Sequence, residues 1–359
     1  MAGGPKRARR VTISDIAERA GVSKGAVSYA LNDRPGLSDK TRKRILEIAD
    51  ELSWYPNRAA RSLSAARADA CGLVLARPAK TLAIETFFME FIAGVESALA
   101  RHSIALTIQL VDEPQGEIDV YRRWWGEHRV DGVLLVDPRV ADPRFAEVER
   151  LGLPAVVVGG PLKDSKLPAI WHDEALTVVE VVRYLAALGH ERVARVAGLD
   201  TFLHSRARSN AFRRAARDLA LSVRIVATDF TPESGALATR QLLSDPKPPT
   251  AIVYDSAVLG VTGLGVAQQM GFSVPEDVSI VAWDDSLICQ VVHPPLTTVT
   301  RDIPAYGEAA AIRLLAEIEG RGKGDVEFNR GVLTPRASTA PPVAMPGSRR
   351  PRRTAARAR

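Results

Sequence analysis

Cysteine is scarce. Only Cys71 and Cys289 occur in 359 residues, far apart and in no Cys-x-x-Cys spacing, so neither a disulfide framework nor a thiolate metal site organises the chain. Both are expected to be buried thiols. The six histidines, His102, His128, His172, His190, His204 and His293, fall at no ligand spacing, and packing within helices or loops is the expectation for each. No apolar run approaches the ~20 residues that a bilayer crossing needs. The basic opening Lys6-Arg7-Ala8-Arg9-Arg10 lacks a following apolar stretch, so it is not read as an export signal, and a cytoplasmic protein is expected. Nucleophile motifs, phosphate-binding glycine loops and metal clusters are missing too, which argues against an enzyme and calls for no cofactor. The C-terminal tail has no leucine heptads, so a tetramerising coiled coil there is not expected.

What is present is ordinary globular composition, 46% hydrophobic and 25% charged, in a chain long enough for a small unit plus a core that divides into lobes. The net charge of +6 is unevenly spread. Residues 1–68 hold 14 Lys+Arg against 7 Asp+Glu, and residues 341–359 hold six arginines and no acid, which leaves 28 basic against 35 acidic residues between them. A basic front end suits phosphate contacts, which confer affinity and salt sensitivity but not sequence choice. Residues 1–10 and 341–359, rich in Pro, Gly, Ala and Arg, read as disordered basic arms.

Residues 11–55 read as three short helices. Thr12 can cap the first, with Asp15 closing a shortened capping box and Ile16, Ala17 and Ala20 on its inner face. Gly21 ends it, Val22 fills the turn, and Ser23 caps a second helix from Lys24 to about Leu31. After a loop broken by Pro35 and Gly36, Ser38 starts a third helix whose Ile45, Ile48, Ala49 and Leu52 close a small core. Helix, glycine turn, helix is a pattern that a plain helical bundle also shows. As a DNA-reading unit it presents the start of its second helix to the major groove, so Ser23, Lys24, Gly25, Ala26, Ser28, Tyr29 and Asn32, with the capping Thr12, are the expected DNA-facing residues.

The stretch Tyr55-Pro56-Asn57-Arg58-Ala59-Ala60-Arg61-Ser62-Leu63 follows, with Asn57 able to cap a helix too short to stand alone in water. Taken with Thr12-x-x-Asp15-Ile16-Ala17-x-x-Ala20-Gly21-Val22-Ser23 and Val27-Ser28-x-x-Leu31-Asn32, this resembles the headpiece and hinge of the lactose-repressor (LacI) family of bacterial transcription regulators. The resemblance implies a hinge helix in residues 56–69 that orders on DNA beside its dimer mate, with Asn57, Arg58 and Ala60 at the DNA and Leu63 as a minor-groove wedge. An apolar wedge that unstacks a base step bends the duplex and widens the contact. Ala26 and Tyr29 stand where the family commonly has threonine and arginine, so the operator sequence does not carry over.

From residue 70 to 340, apolar runs alternate with amphipathic helices, the mark of parallel sheets covered on both faces. Strands are expected at 72–75, 104–110, 132–136, 155–158, 193–197, 223–227, 251–253 and 278–281; helices at 87–101, 174–188, 205–219, 232–243 and 258–270. The expected architecture is an all-α helix-turn-helix headpiece and hinge helix followed by two doubly wound α/β lobes with a cleft at the strands' carboxyl ends. Gly94-Val95-Glu96, Val130-Asp131-Gly132-Val133, Leu188-Gly189-His190-Glu191-Arg192 and Trp283-Asp284-Asp285 extend the resemblance to the family's periplasmic-binding-protein-like effector domain. It implies a ligand cleft lined by Arg208, Asp255, Asp284 and Asp285, with Asp173 and Tyr254 at neighbouring positions and Phe88 or Trp283 covering an apolar sugar face. Glu85-Thr86-Phe87-Phe88, Asp173-Glu174 and Tyr254-Asp255 depart from the family pattern, where Asn-Pro-Phe-Phe and asparagines at Glu174 and Tyr254 are common. Losing amides changes the polar pattern a pocket accepts and points away from a standard hexose.

The expected function is therefore a nucleoid-associated, sequence-specific transcriptional regulator, a repressor by family default. It would bind a pseudo-palindromic double-stranded operator as a homodimer and respond to a sugar-like small-molecule effector. A regulator whose pocket senses nothing, and a DNA-bending architectural protein without sequence choice, are the alternatives.

Overall fold

The computed structural model describes residues 11–31, 33–54, 67–77, 82, 84–162 and 165–343. The chain divides into two units, Met1–Arg67 and Ala68–Arg359.

The first unit holds α1 (Ile13–Ala20), α2 (Lys24–Leu31) and α3 (Asp39–Glu51). The Asp15 carboxylate accepts from both the backbone N–H and the hydroxyl of Thr12, each at 2.7 Å, which closes the first turn. Gly21 ends α1 at a left-handed φ of 67°, a conformation that a side chain would strain. Ser23 Oγ then accepts from the Ala26 N–H at 3.1 Å and starts α2. Ile16, Val27, Ile45 and Ile48 are buried together, with Leu31 and Leu52 at the margin as expected and Trp54 as an addition that the periodicity did not place there.

The second unit contains two six-stranded sheets. The first lobe is built from β1 (Ala70–Leu75), α4 (Thr86–Arg101), β2 (Ala105–Leu110), α5 (Pro114–Gly126), β3 (Gly132–Leu135), α6 (Pro143–Leu151), β4 (Ala155–Val158) and β5 (Ala169–Trp171). The second continues with α7 (Glu174–Ala187), β6 (Arg192–Ala197), α8 (Leu203–Asp218), β7 (Ser222–Ala227), α9 (Pro232–Leu243), β8 (Ala251–Tyr254), α10 (Ala257–Gln269), β9 (Ser279–Trp283), α11 (Leu287–Val291) and β10 (Thr297–Thr300). The chain then returns to the first lobe for α12 (Ile303–Ile318) and β11 (Val326–Glu327), and ends in the second with β12 (Val332–Thr334). It crosses between lobes three times.

Strand orders are β11-β5-β4-β3-β1-β2 and β12-β10-β9-β8-β6-β7, all pairs parallel except β12 on β10. In a parallel sheet both faces are covered, so every residue of β1 is buried, as its unbroken apolar run requires. The order reverses between β1 and β3 in one lobe and between β6 and β8 in the other, and loops leaving a reversal point diverge to open a crevice. Helices α4 and α12 meet through two glycines. A β-carbon on Gly94 would lie 1.9 Å from the Pro304 carbonyl oxygen, and one on Gly307 would lie 2.2 Å from that of Phe91. The lobes are also tied by backbone, since the Val140 N–H donates to the Thr201 carbonyl and the Leu203 N–H to the Pro138 carbonyl, both at 2.9 Å.

Candidate functional site

The start of α2 is open. Lys24, Gly25 and Tyr29 are exposed and Ala26 and Ser28 are half-buried, while Val27 and Ala30 turn inward. Ser23 and Thr12 are exposed beside their capped turns. Arg42 fixes the loop that follows, donating to Asp33 and to the Arg34 carbonyl at 2.7 Å each. Asn32, Asn57, Arg58, Ala60 and Leu63 lie outside the described residues, as do residues 56–66 of the expected hinge and residues 1–10 and 344–359 of the expected arms.

In the second unit a cleft of roughly 900 Å³, partly open to solvent, lies where the two reversal points face each other. Arg77 follows β1 and Asp137 follows β3, and the Arg77 Nε donates to the Asp137 carboxylate at 2.8 Å across the first of them. Arg77 also rests against Phe88, Phe202 and Phe230, its guanidinium 5.4, 5.0 and 5.0 Å from the ring centres. Burial would raise the Asp137 carboxyl, but Arg77 outweighs it and holds it below the ordinary carboxylate range. Across the second reversal point Asp255 follows β8, and its carboxylate receives Arg195 at 2.8 and 2.6 Å and the Gly198 N–H at 3.0 Å.

Glu174, the first residue of α7, receives Arg208 at 2.7 and 3.0 Å and Arg301 at 3.2 Å. Its burial penalty is overcome by those two cations, and the carboxyl stays ionised. Arg301 leaves β10 at the second lobe crossing and also donates to Asp284 at 2.7 and 2.9 Å. His172 occupies the first crossing, its ring 4.2 Å from that of Tyr306 and its Nδ1 2.5 Å from the Asn329 carbonyl. Burial and then Arg301 hold its pKa down at about 4, so it is neutral. His204 sits between Phe202 and Phe230 and is held at about 4 by burial and then Arg208.

Of the eight effector residues predicted from sequence, Phe88, Arg208, Asp255 and Asp284 line the cleft. The other four are not among its lining residues. Asp173 instead caps α7, accepting from the Leu176 N–H at 2.9 Å. Tyr254 and Asp255 are neighbours at a strand end, so their side chains leave on opposite faces; Tyr254 lies in the core with its hydroxyl 3.0 Å from Thr239. Trp283 is fully buried beneath Arg208, whose guanidinium lies 4.3 Å from the ring centre and separates it from the cleft. Asp285 turns away to receive Arg336 at 2.8 and 2.6 Å. Sequence reasoning missed Arg77, Asp137, Arg301 and Tyr306, and it read His172 and His204 as packing residues. Glu85 and Glu174 were visible only as departures from a family pattern.

A helix-turn-helix unit joined to a two-lobed domain with a charged, partly aromatic cleft defines a DNA-binding regulator of the ligand-cleft type. Residues 12–57 match the model for bacterial regulatory proteins of the lacI family, and residues 182–339 that for a periplasmic binding protein-like domain. The chain is 31% identical over 344 residues to the HTH-type transcriptional regulator AglR of Rhizobium meliloti (strain 1021), covering 92% of this chain and 95% of AglR. A structure of the transcriptional regulator CelR in complex with cellobiose is 27% identical, with a TM-score of 0.70, covering 92% of this chain and all of that one. The lac repressor dimer bound to operator and the anti-inducer ONPF shares the fold at 24% identity and a TM-score of 0.82, over 92% of this chain and all of that one. The chain belongs to the LacI family of bacterial regulatory proteins. It is a transcriptional regulator and not an enzyme.

Proposed function

We propose that the protein is a repressor that binds a pseudo-palindromic operator as a homodimer and changes its hold on DNA when an effector enters the cleft. The observation that carries this reading is the cleft itself, a charged, aromatic-floored crevice between lobes that the chain crosses three times. A ligand touching both lobes biases their arrangement, and such coupling is typically worth ~1–3 kcal/mol. CelR was solved with cellobiose and the lac repressor as a dimer on operator; a sugar-related effector and a two-fold operator complex are the corresponding expectations for this chain.

In this reading residues 11–55 are the headpiece, in which Ser23, Lys24, Gly25, Ala26, Ser28, Tyr29 and Asn32 meet the major groove. Residues 56–69 form the hinge, whose Asn57, Arg58, Ala60 and Leu63 meet the minor groove. Residues 70–340 pair the subunits and take the effector. Pairing two readers makes the second contact intramolecular, which raises effective concentration and turns weak half-site binding into specific binding. The protein acts in the cytoplasm on nucleoid DNA. Selection of bound duplexes from a random pool is the test: a symmetric pair of half-sites is expected, and recovery of unrelated duplexes in proportion to the input would leave an architectural DNA binder instead.

A further inference from the structure

Five carboxylates face the cleft, and four of them have an arginine partner: Asp137 with Arg77, Glu174 with Arg208 and Arg301, Asp255 with Arg195, and Asp284 with Arg301. Those four negative charges meet four guanidinium groups, so among the described residues the paired set is neutral and offers no spare cation to an acid or a phosphate. The fifth carboxylate, Glu85, stands differently. It precedes α4 as its N-cap residue and is 8% exposed; the Ser256 hydroxyl lies against its carboxyl, but its Oε1 has no hydrogen-bond partner. Arg77, the cation beside it, is already committed to Asp137 and to three aromatic rings.

His172 presents a second gap. A backbone carbonyl only accepts, so the contact of Nδ1 with the Asn329 carbonyl at 2.5 Å puts the ring proton on Nδ1. The lone pair of the neutral ring is therefore on Nε2, which is buried, without a partner, in a residue that lines the cleft. A buried acceptor left without a donor costs about 1–3 kcal/mol. Two of them in one cleft, in a chain that otherwise pairs its cleft charges, describe the complement of a ligand.

We propose that Glu85 and His172 are the specificity-determining acceptors of the cleft, and that the effector is an uncharged, hydroxyl-bearing molecule that donates one hydroxyl proton to each. A sugar acid or sugar phosphate lacks a counter-charge in this cleft and is refused. This rests on the reading of the cleft as the effector site. Glu85 also follows from chemistry particular to this chain, since it is one of the positions that depart from the family's amide-bearing pattern.

The test uses the full-length protein and three sets of probes: neutral saccharides and polyols such as cellobiose, trehalose and mannitol; the acids gluconate and glucuronate; and glucose 6-phosphate. Binding is read by calorimetry and by the shift in melting temperature. Neutral probes alone should bind. Glu85→Leu, which removes the acceptor where glutamine would keep one, and His172→Phe should each weaken the neutral hit by about tenfold or more, the worth of one buried hydrogen bond. Glu85→Leu should do so with an unliganded melting temperature equal to or above that of the wild type, because it removes a buried, unpaired acceptor, which separates lost recognition from lost folding. Should the acid or phosphate probes bind best, or the two variants hold the neutral hit at wild-type affinity while Arg208→Ala abolishes it, the assignment fails and the cleft reading stands. Wild-type affinity in Arg208→Ala as well, or silence of every probe, overturns both.

Discussion

Arg195 and Asp255 face each other in the second lobe with both side chains fully buried, joined by bonds of 2.8 and 2.6 Å. Arg195 also donates to Ser209 at 2.9 Å. The carboxylate that the sequence offers to a ligand is thus held by the protein itself, and what Asp255 gives the cleft is a fixed loop end at the reversal point. Breaking one side of a buried pair strands the other charge, which typically costs ~3–5 kcal/mol. Arg195→Met should lower unfolding stability by that amount in chemical denaturation, and Arg195→Met with Asp255→Leu should recover most of it. A single-variant loss under ~1 kcal/mol would show that the pair is not desolvated as described.

Stability should respond to pH through Glu85. Burial first, and then Asp137 and Asp284 against the counteracting Arg77, push its carboxyl from 4.5 to about 7. Between those values the folded protein keeps a proton that the unfolded chain has released, so stability falls as pH rises through that window. Glu85→Gln removes the term, and the variant should gain on the wild type by on the order of 3 kcal/mol between pH 4.5 and 7.5. The neutral histidines His172, His190 and His204, each held at about 4 against 6.5, act oppositely, and their contribution is lost as pH falls below 6.5. A constant gap between variant and wild type across the whole window would refute the Glu85 assignment.

Tyr29 is 44% exposed on α2, its ring standing over Gly36. If it reads base edges, Tyr29→Ala changes which half-site bases are selected, with ~1–3 kcal/mol at the affected position. A uniform loss of affinity with an unchanged base preference would make it a phosphate contact.

Gly94→Ala should cost ~1–3 kcal/mol or more, because the new methyl would meet backbone and not a side chain that can rotate away. Gly126→Ala, where nothing lies within 4 Å, is the control for helix propensity alone. Equal melting temperatures for the two variants would mean that α4 and α12 separate at no cost.

Much of the fold is legible because its elements carry a period. Helix α9 spans Pro232–Leu243, as the sequence predicts, and the eight expected strands all form. Short elements such as β5, β11 and β12 hold three, two and three residues, too few to show any period, and they form because a neighbouring edge accepts them. Arg208, Asp255 and Asp284 were reached through family likeness, not through local pattern. Arg77 and Arg301 were not reached at all, since an arginine becomes a cleft residue only when distant chain supplies its partner: sixty positions separate Arg77 from Asp137, and 127 separate Arg301 from Glu174. The same holds for His172, whose role depends on the carbonyl of Asn329.

The three passages of the backbone between the sheets mean that neither lobe corresponds to one continuous stretch of gene. A fragment ending after β5 would lack α12, which covers the first sheet and supplies Ile303, Tyr306 and Leu314 to its core. A fragment beginning at α7 would carry that helix without the surface it was built to cover. Truncation libraries aimed at a minimal ligand-binding piece should therefore return only clones that keep residues 70–334 together.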